Sequence, residues 1–305
     1  FPTRRSSDLM RGGTSKGVFF RLQDLPAAAQ KPGAARDALL LRVIGSPDPF
    51  GKHIDGMGGA TSSTSKAVII SKSARPDHDV DYLFGQVAID KPLVDWSGNC
   101  GNLSAAVGPF AIARGFVDAS RLPRGDGDGD GDGDGDGTAT VRIWQANIGK
   151  TIVARVPIVR GAVQETGDFE LDGVTFPAAE IQLEFVDPAP DSDSGDGGSG
   201  GASSLFPTGN LVDELAVPGA GTLQATLINA GIPTIFVDAA ALGLRGTELP
   251  DALNGDARAL ARFEALRAQG ALRMGLIARR DERDLGRVLR SEEHTSELQS
   301  HLNLV

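Results

Sequence analysis

The run Ala105-Ala106-Val107-Gly108-Pro109-Phe110-Ala111-Ile112-Ala113 has no polar side chain and no charge until Arg114. It reads as a helix, and a helix apolar on every side has to be buried. It is too short to span a bilayer. It is led by Asp95-Trp96-Ser97-Gly98-Asn99-Cys100-Gly101-Asn102-Leu103-Ser104, small polar and glycine residues that read as a loop entering the helix. That loop holds the only cysteine of the chain. The spacing predicts Cys100 in the first helical turn, among N–H groups without a helical partner. A thiol there ionises more readily, and a carboxylate can dock on the same N–H groups. A lone cysteine is more often a small buried filler; the glycine–asparagine setting tips this one toward a site.

The chain has 305 residues, 40% of them hydrophobic, enough for one large or two ordinary domains. A net charge of −10 speaks against nucleic acid as a partner, although much of the excess acid lies in low-complexity stretches. A single cysteine excludes an internal disulfide and suits a reducing compartment, so the expected location is cytoplasmic. The histidines at 53, 78, 294 and 301 have no metal-ligand spacing. No metal, nucleotide, signal-peptide or membrane-spanning pattern is found, and no cofactor, membrane or nucleic-acid partner is expected.

Both ends, 1–9 and 290–305, resemble translated sequencing-adapter reads and are set aside from the fold reasoning. On that reading the natural chain starts near Met10 and breaks off near Leu289. Arg11-Gly12-Gly13-Thr14-Ser15-Lys16-Gly17 is a donor-rich turn beside a strand, a suitable lining for an anion or an ordinary tight turn. Ala34 to Ile44 reads as a helix with Leu39, Leu40 and Val43 inward, stopped by Gly45-Ser46-Pro47. The second glycine-rich loop, Asp55 to Ser65, runs through Lys66 into the strand Ala67–Ile70. Most lysines are solvated surface charges, but the small apolar neighbours of Lys66 would bury its amine and make it a candidate base. Val80–Ile89 reads as the strand that leads toward the cysteine loop.

Residues 125–137 alternate glycine and aspartate without a calcium-binding pattern and read as a solvated loop. Strands are predicted at Thr138–Ala146, Thr151–Pro157 and Ile181–Val186. The Pro, Ser, Gly and Asp stretch 189–204 reads as a linker between a domain at 10–188 and a second at 205–289. The second carries the polar turn Phe206-Pro207-Thr208-Gly209-Asn210, strands near Leu223–Ile228 and Thr234–Val237, and an amphipathic helix at Ala257–Gly270.

Five motifs in one order resemble the 2-methylaconitate cis–trans isomerase family (PrpF): Met10–Gly17, Ile54–Lys66, Trp96–Asn102, Phe206–Asn210 and Ile228–Thr234. The wider family includes oxalomesaconate tautomerases and allylic isomerases. The resemblance implies an α+β, diaminopimelate-epimerase-like fold, in which each of two similar domains wraps a mostly antiparallel sheet around a central helix. It implies that Lys66 and Cys100 are the catalytic pair. It also implies that the second domain is incomplete and lacks its own central helix, so that an apolar sheet face should lie bare, the C-terminal half should be labile and the chain should be inactive or nearly so.

The implied reaction is a cofactor-independent proton shift in an unsaturated tricarboxylate of the 2-methylcitrate cycle. Lys66 removes an allylic proton, charge spreads as a dienolate, the loosened bond rotates and the proton returns. Arg11, Thr14, Ser15, Lys16, Ser65, Asn99, Gly101, Asn102 and Asn210 are the expected carboxylate donors. Cys100 is the candidate opposing acid or base. Two rivals are an amino-acid racemase on the same fold, which would oppose two cysteines, and a tricarboxylate-binding protein without turnover. A homodimer is left open as the assembly.

Overall fold

An apolar helix needs apolar walls on every side, and a curled sheet supplies them here. The structure, a computed structural model, describes residues 7–123, 135–188, 205–230 and 233–277. The chain divides into two units, one up to Asp187 and one from Pro188. Most of the glycine–aspartate stretch, the linker 189–204 and the tail 290–305 lie outside the described residues.

The first unit contains β1 (Asp8–Gly12), β2 (Ser15–Arg21), α1 (Ala34–Ile44), β3 (Lys66–Lys72), β4 (Val80–Val87), β5 (Val94–Asp95), α2 (Gly101–Ala113), β6 (Gly137–Gln145), β7 (Lys150–Val159), β8 (Ala162–Val163) and β9 (Gln182–Val186). The strands form one sheet in the order β1-β2-β3-β4-β6-β7-β8, with β5 on β4 and β9 on β7. The β2–β3 and β4–β6 pairs are parallel and the others antiparallel. The sheet curls so that β1, β2, β6, β7, β8 and β9 all touch α2.

Strand side chains alternate between faces. Phe19, Val68, Ile70, Tyr82 and Phe84 point to α2 and pack with Leu103, Val107, Phe110, Ile143, Ile152 and Val156. Their neighbours Val18, Phe20, Ala67, Ile69 and Val87 point the other way, onto Leu40 and Ile44 of α1. The helix α1 occupies the predicted span, but its buried residues are Arg36, Leu40 and Ile44, while Leu39 and Val43 are only half-buried. Arg36 lies inside because its guanidinium bonds the carbonyls of Ala29 and Gln30 and sits 5.9 Å over Trp96.

Asp8 and Leu9, set aside above with the N-terminal tail, take part in β1. Asp8 lies opposite Phe19, and its carboxylate accepts a hydrogen bond from Arg114 Nε at 2.8 Å, at the C-terminal end of α2. The hairpin from β1 to β2 approaches the start of α2 so closely that only glycine fits. A Cβ on Gly12 would lie 2.5 Å from the Asn102 carbonyl oxygen and 2.8 Å from Leu103 Cα. Gly12→Ala should therefore force the hairpin and helix apart. Overpacking of this kind costs about 1–3 kcal/mol, readable as a lower denaturation midpoint; an unchanged midpoint would contradict the packing described.

The second unit contains β10 (Asp213–Val217), β11 (Gly221–Asn229), β12 (Pro233–Val237), α3 (Pro250–Asn254) and α4 (Ala257–Arg273), with the strands antiparallel in sequence order. One sheet face carries Leu215, Val217, Leu223, Ala225, Leu227, Ile235 and Val237. The bare apolar face expected from the sequence is not found among the described residues. The amphipathic α4 covers that face with Ala259, Phe263 and Leu266. Gly270 lets it lie close, since a Cβ there would sit 2.2 Å from Ile235 Cδ1. Asp256 caps α4 by accepting from the N–H groups of Arg258 and Ala259.

Candidate active site

Lys66 is the first residue of β3, beside Gly17 of β2 and opposite Gln86 of β4. By the pleat it shares the α2 face with Val68 and Ile70. It is 7% exposed, unlike most lysines. Its Nζ donates to Gln86 Oε1 at 2.6 Å and stands 5.2 Å from the centre of the Phe84 ring. The Gln86 Nε2 donates to the carbonyls of Ser62 and Ser65 at 3.1 and 3.2 Å. The glycine- and serine-rich loop is thus tied to the strand that faces Lys66. Ser65 is fully buried, its Oγ 3.4 Å from His53 Nδ1, and Ser63 accepts from the backbone N–H of Lys16.

Cys100 is the N-cap of α2, one position before the first helical turn in which the sequence reading put it. Its backbone is extended and its Sγ accepts from the Leu103 N–H at 3.5 Å, as an N-cap side chain does. Three donors hold its carbonyl: Tyr82 OH at 3.2 Å, Ser104 Oγ at 3.0 Å and Ser104 N–H at 3.2 Å. Burial, and secondly the neighbouring Cys100, push the Tyr82 phenol well above the ordinary tyrosine range, so it stays a neutral donor.

Tyr82, Phe84 and Gln86 alternate along one face of β4. The first grips Cys100, the second lies under the Lys66 amine and the third accepts from it. Lys66 and Cys100 are therefore held on the same face of the sheet, beside the N-terminus of α2. Gly101 and Asn102, both exposed, open the helix with N–H groups that no helical carbonyl reaches. The Asn102 Nδ2 donates to Thr14 Oγ1 at 3.1 Å, bringing the β1–β2 turn to the same place. Ser15 is buried at the start of β2 and Lys16 is half-buried. Arg11 is exposed and folds its guanidinium back onto the Gly13 carbonyl. Asn99 Oδ1 is buried with no hydrogen-bond partner among the described groups. In a protein, an acceptor left like this calls for a partner from outside the chain or a functional reason.

Asn210 differs from the other candidate donors. It belongs to the second unit, where its amide donates to Asp213 Oδ1 at 3.0 Å. Burial opposes the ionisation of Asp213, but bonds from Thr208, Asn210 and Arg273 outweigh it and hold the carboxyl below its usual range. Asn210 is engaged in holding that buried charge.

Sequence reasoning passed over Gln86, Tyr82 and Asn147. Gln86 could have been found, because it is an amide at a position where the alternation of β4 demands an apolar side chain. Asn147 acts as a strand residue through its side chain. Its Oδ1 accepts from Phe84 N–H at 2.8 Å, and its Nδ2 donates to the carbonyls of Phe84 at 2.9 Å and Trp96 at 2.7 Å. It continues the β4–β6 ladder and tethers the cysteine loop, a link only the fold creates. Among the described residues there is no group of three or more His, Cys, Asp or Glu side chains able to hold a metal ion. Likewise no described helix is long and apolar enough to cross a membrane.

Comparison with known proteins places the chain in a family. A family profile described as "PrpF protein" matches residues 3–290. The chain belongs to the PrpF family. It is 70% identical over 273 residues to the 2-methyl-aconitate isomerase of Cupriavidus necator, an alignment covering 90% of this chain and 65% of that protein. It is 44% identical over 274 residues to the 4-oxalomesaconate tautomerase of Pseudomonas putida, with 90% and 66% covered. The crystal structure of a methylitaconate-delta-isomerase superposes with a TM-score of 0.65 at 38% identity, over 91% of this chain and 64% of that one. The PrpF chain described here thus spans about two thirds of the length of the relatives it matches. Its α+β architecture, a curled sheet around a central helix, is the diaminopimelate-epimerase-like fold implied by the resemblance.

Proposed function

We propose that this PrpF chain acts as a cofactor-independent isomerase of an unsaturated tricarboxylate, with 2-methylaconitate as the substrate and cis–trans interconversion as the reaction. The observation that carries the reading is the buried Lys66 amine on the same sheet face as the Cys100 cap, next to an α-helix N-terminus. As a free amine, Lys66 takes a proton from the allylic carbon. The electron pair left behind spreads over the conjugated carboxylate as a dienolate, and the former double bond gains single-bond character. After rotation, the Lys66 ammonium returns the proton to carbon and the enzyme regains its starting state; where Cys100 delivers the proton instead, Lys66 keeps the one it took, and transfer of a proton from the ammonium to the thiolate, directly or through solvent, restores the site. The N–H groups of Gly101 and Asn102, with Thr14, Ser15, Lys16, Arg11, Ser65 and Asn99, supply the donors for the substrate carboxylates.

Similarity favours 2-methylaconitate over 4-oxalomesaconate, at 70% against 44% identity over almost the same stretch. A racemase of the two-cysteine kind is disfavoured, because the chain has one cysteine. That lone, free cysteine also suits a reducing, cytoplasmic setting. The test is an assay of the purified chain with each geometric isomer of 2-methylaconitate, followed by proton NMR. Interconversion from both directions is expected. Saturable binding without interconversion would replace this reading by that of a tricarboxylate-binding protein.

A further inference from the structure

We propose that Gln86 is the positioning residue of Lys66: a neutral acceptor that fixes the amine over Phe84 without adding a negative charge to a site built for carboxylates. The proposal rests on the reading of Lys66 as the base, and goes beyond it by assigning the group that sets its behaviour.

The orientation of the Gln86 amide is determined by its surroundings. Its nitrogen faces two carbonyl oxygens, those of Ser62 and Ser65, and its oxygen faces the lysine amine. Turning the amide over would set an NH2 group against an amine and an oxygen against two carbonyls, so one arrangement satisfies all four groups. Lys66 Nζ lies 2.6 Å from the Gln86 oxygen, a close donor–acceptor contact. Gln86 also lies in the register position directly opposite Lys66, so backbone pairing and side-chain pairing reinforce each other. An amide oxygen steadies the ammonium weakly; a carboxylate at the same atom would hold the proton far more tightly and would repel an incoming tricarboxylate.

Other ionisable groups surround this pair. Lys16 comes from β2, Tyr82 from β4, Asp95 from β5 opposite Gln86, Cys100 from the head of α2, and His53 from the preceding loop beside Ser65. On the far side of the sheet are Arg36 and Asp37 of α1, in contact with Trp96, and just after β2 Asp24 pairs with Arg21. All of these stay in place when only Gln86 is changed, so a difference between variants reports on Gln86.

Two variants of the full chain test the proposal. Gln86→Glu keeps an acceptor for Lys66 but makes it charged. Gln86→Met keeps the length and removes the acceptor. The titration of the Lys66 amine is read directly, by trace acetylation with acetic anhydride across pH and mass spectrometry of the peptide containing Lys66. The readout needs no turnover. The midpoint should rise by about one unit or more in Gln86→Glu, since an opposite charge within bonding distance shifts a group by about 1–3 units. It should fall in Gln86→Met, because the bond that favoured the ammonium is gone. A merely structural role would not move the two variants in opposite directions. In turnover, the acid limb of kcat/KM should follow the same displacements, with KM for the tricarboxylate raised in Gln86→Glu. Unmoved midpoints, or midpoints moved the same way, in variants whose circular dichroism is native would overturn the proposal. If Gln86→Glu does not fold, the fall in Gln86→Met decides it alone. The separate failure of Lys66 as base would appear as amine midpoints that move while the kcat/KM limb does not.

Discussion

Lys66→Met should lower isomerisation by about 10²–10⁴-fold, the usual contribution of a positioned proton-transfer group, while the protein remains folded. Methionine keeps the apolar length that lies along Phe84 and removes the amine. The substitution is not free of structural cost. The structure buries Lys66 and makes it the donor to Gln86 Oε1, so the variant leaves a buried acceptor unpaired. Such a loss costs about 1–3 kcal/mol, which predicts a lower melting temperature with a native circular dichroism spectrum. Turnover near that of the unchanged chain would eliminate Lys66 as the base.

Phe263→Ala should cost about 3–5 kcal/mol, the range for removing a buried aromatic side chain. Phe263 is 4% exposed on the inner face of α4 and is the largest side chain that helix sets against β10, β11 and β12. Its loss leaves a cavity between one helix and three strands. The expected readout is rapid proteolysis within residues 205–277 and a large drop in denaturation midpoint. Unchanged protease resistance would show that α4 does not provide the cover described here.

The two units were unequally legible in the sequence, for physical reasons. The uncharged run after Cys100 permits one solution, a buried helix, and α2 occupies it. The span of α1 is fixed by Gly45, whose left-handed backbone ends the helix. The strand β10 was missed because its five residues, Asp-Glu-Leu-Ala-Val, begin with two acids. Only the fold reveals that Asp213 is buried against Arg273 rather than solvated. Without β10, the second sheet looked narrower than it is, and the amphipathic pattern of α4 alone does not show which face it covers.

At the site, residue types in the two glycine-rich loops pointed to Lys66 and Cys100. Of the side chains that position them, only Gln86 left a trace, an amide at an inward position of β4. Tyr82 sits inside an ordinary alternating strand, and Asn147 sits in a hairpin turn where asparagine is common. Their roles come from the curl of the sheet, which brings β4, the β6–β7 turn and the head of α2 to one place. The N-cap position of Cys100 is a similar case. A one-residue difference from the first turn turns the sulfur back toward the Leu103 N–H, where it serves the helix as an acceptor.

The central claim is that a proton leaves carbon and returns to it while the double bond changes geometry. It is tested most directly by running the reaction in deuterium oxide and following the substrate pool by proton NMR and mass spectrometry. The account predicts deuterium at the allylic carbon of both geometric isomers with the unchanged chain, and none above the uncatalysed background with Lys66→Met. Isomerisation without deuterium uptake, in a site that exchanges protons with water, or uptake undiminished in Lys66→Met, would contradict it.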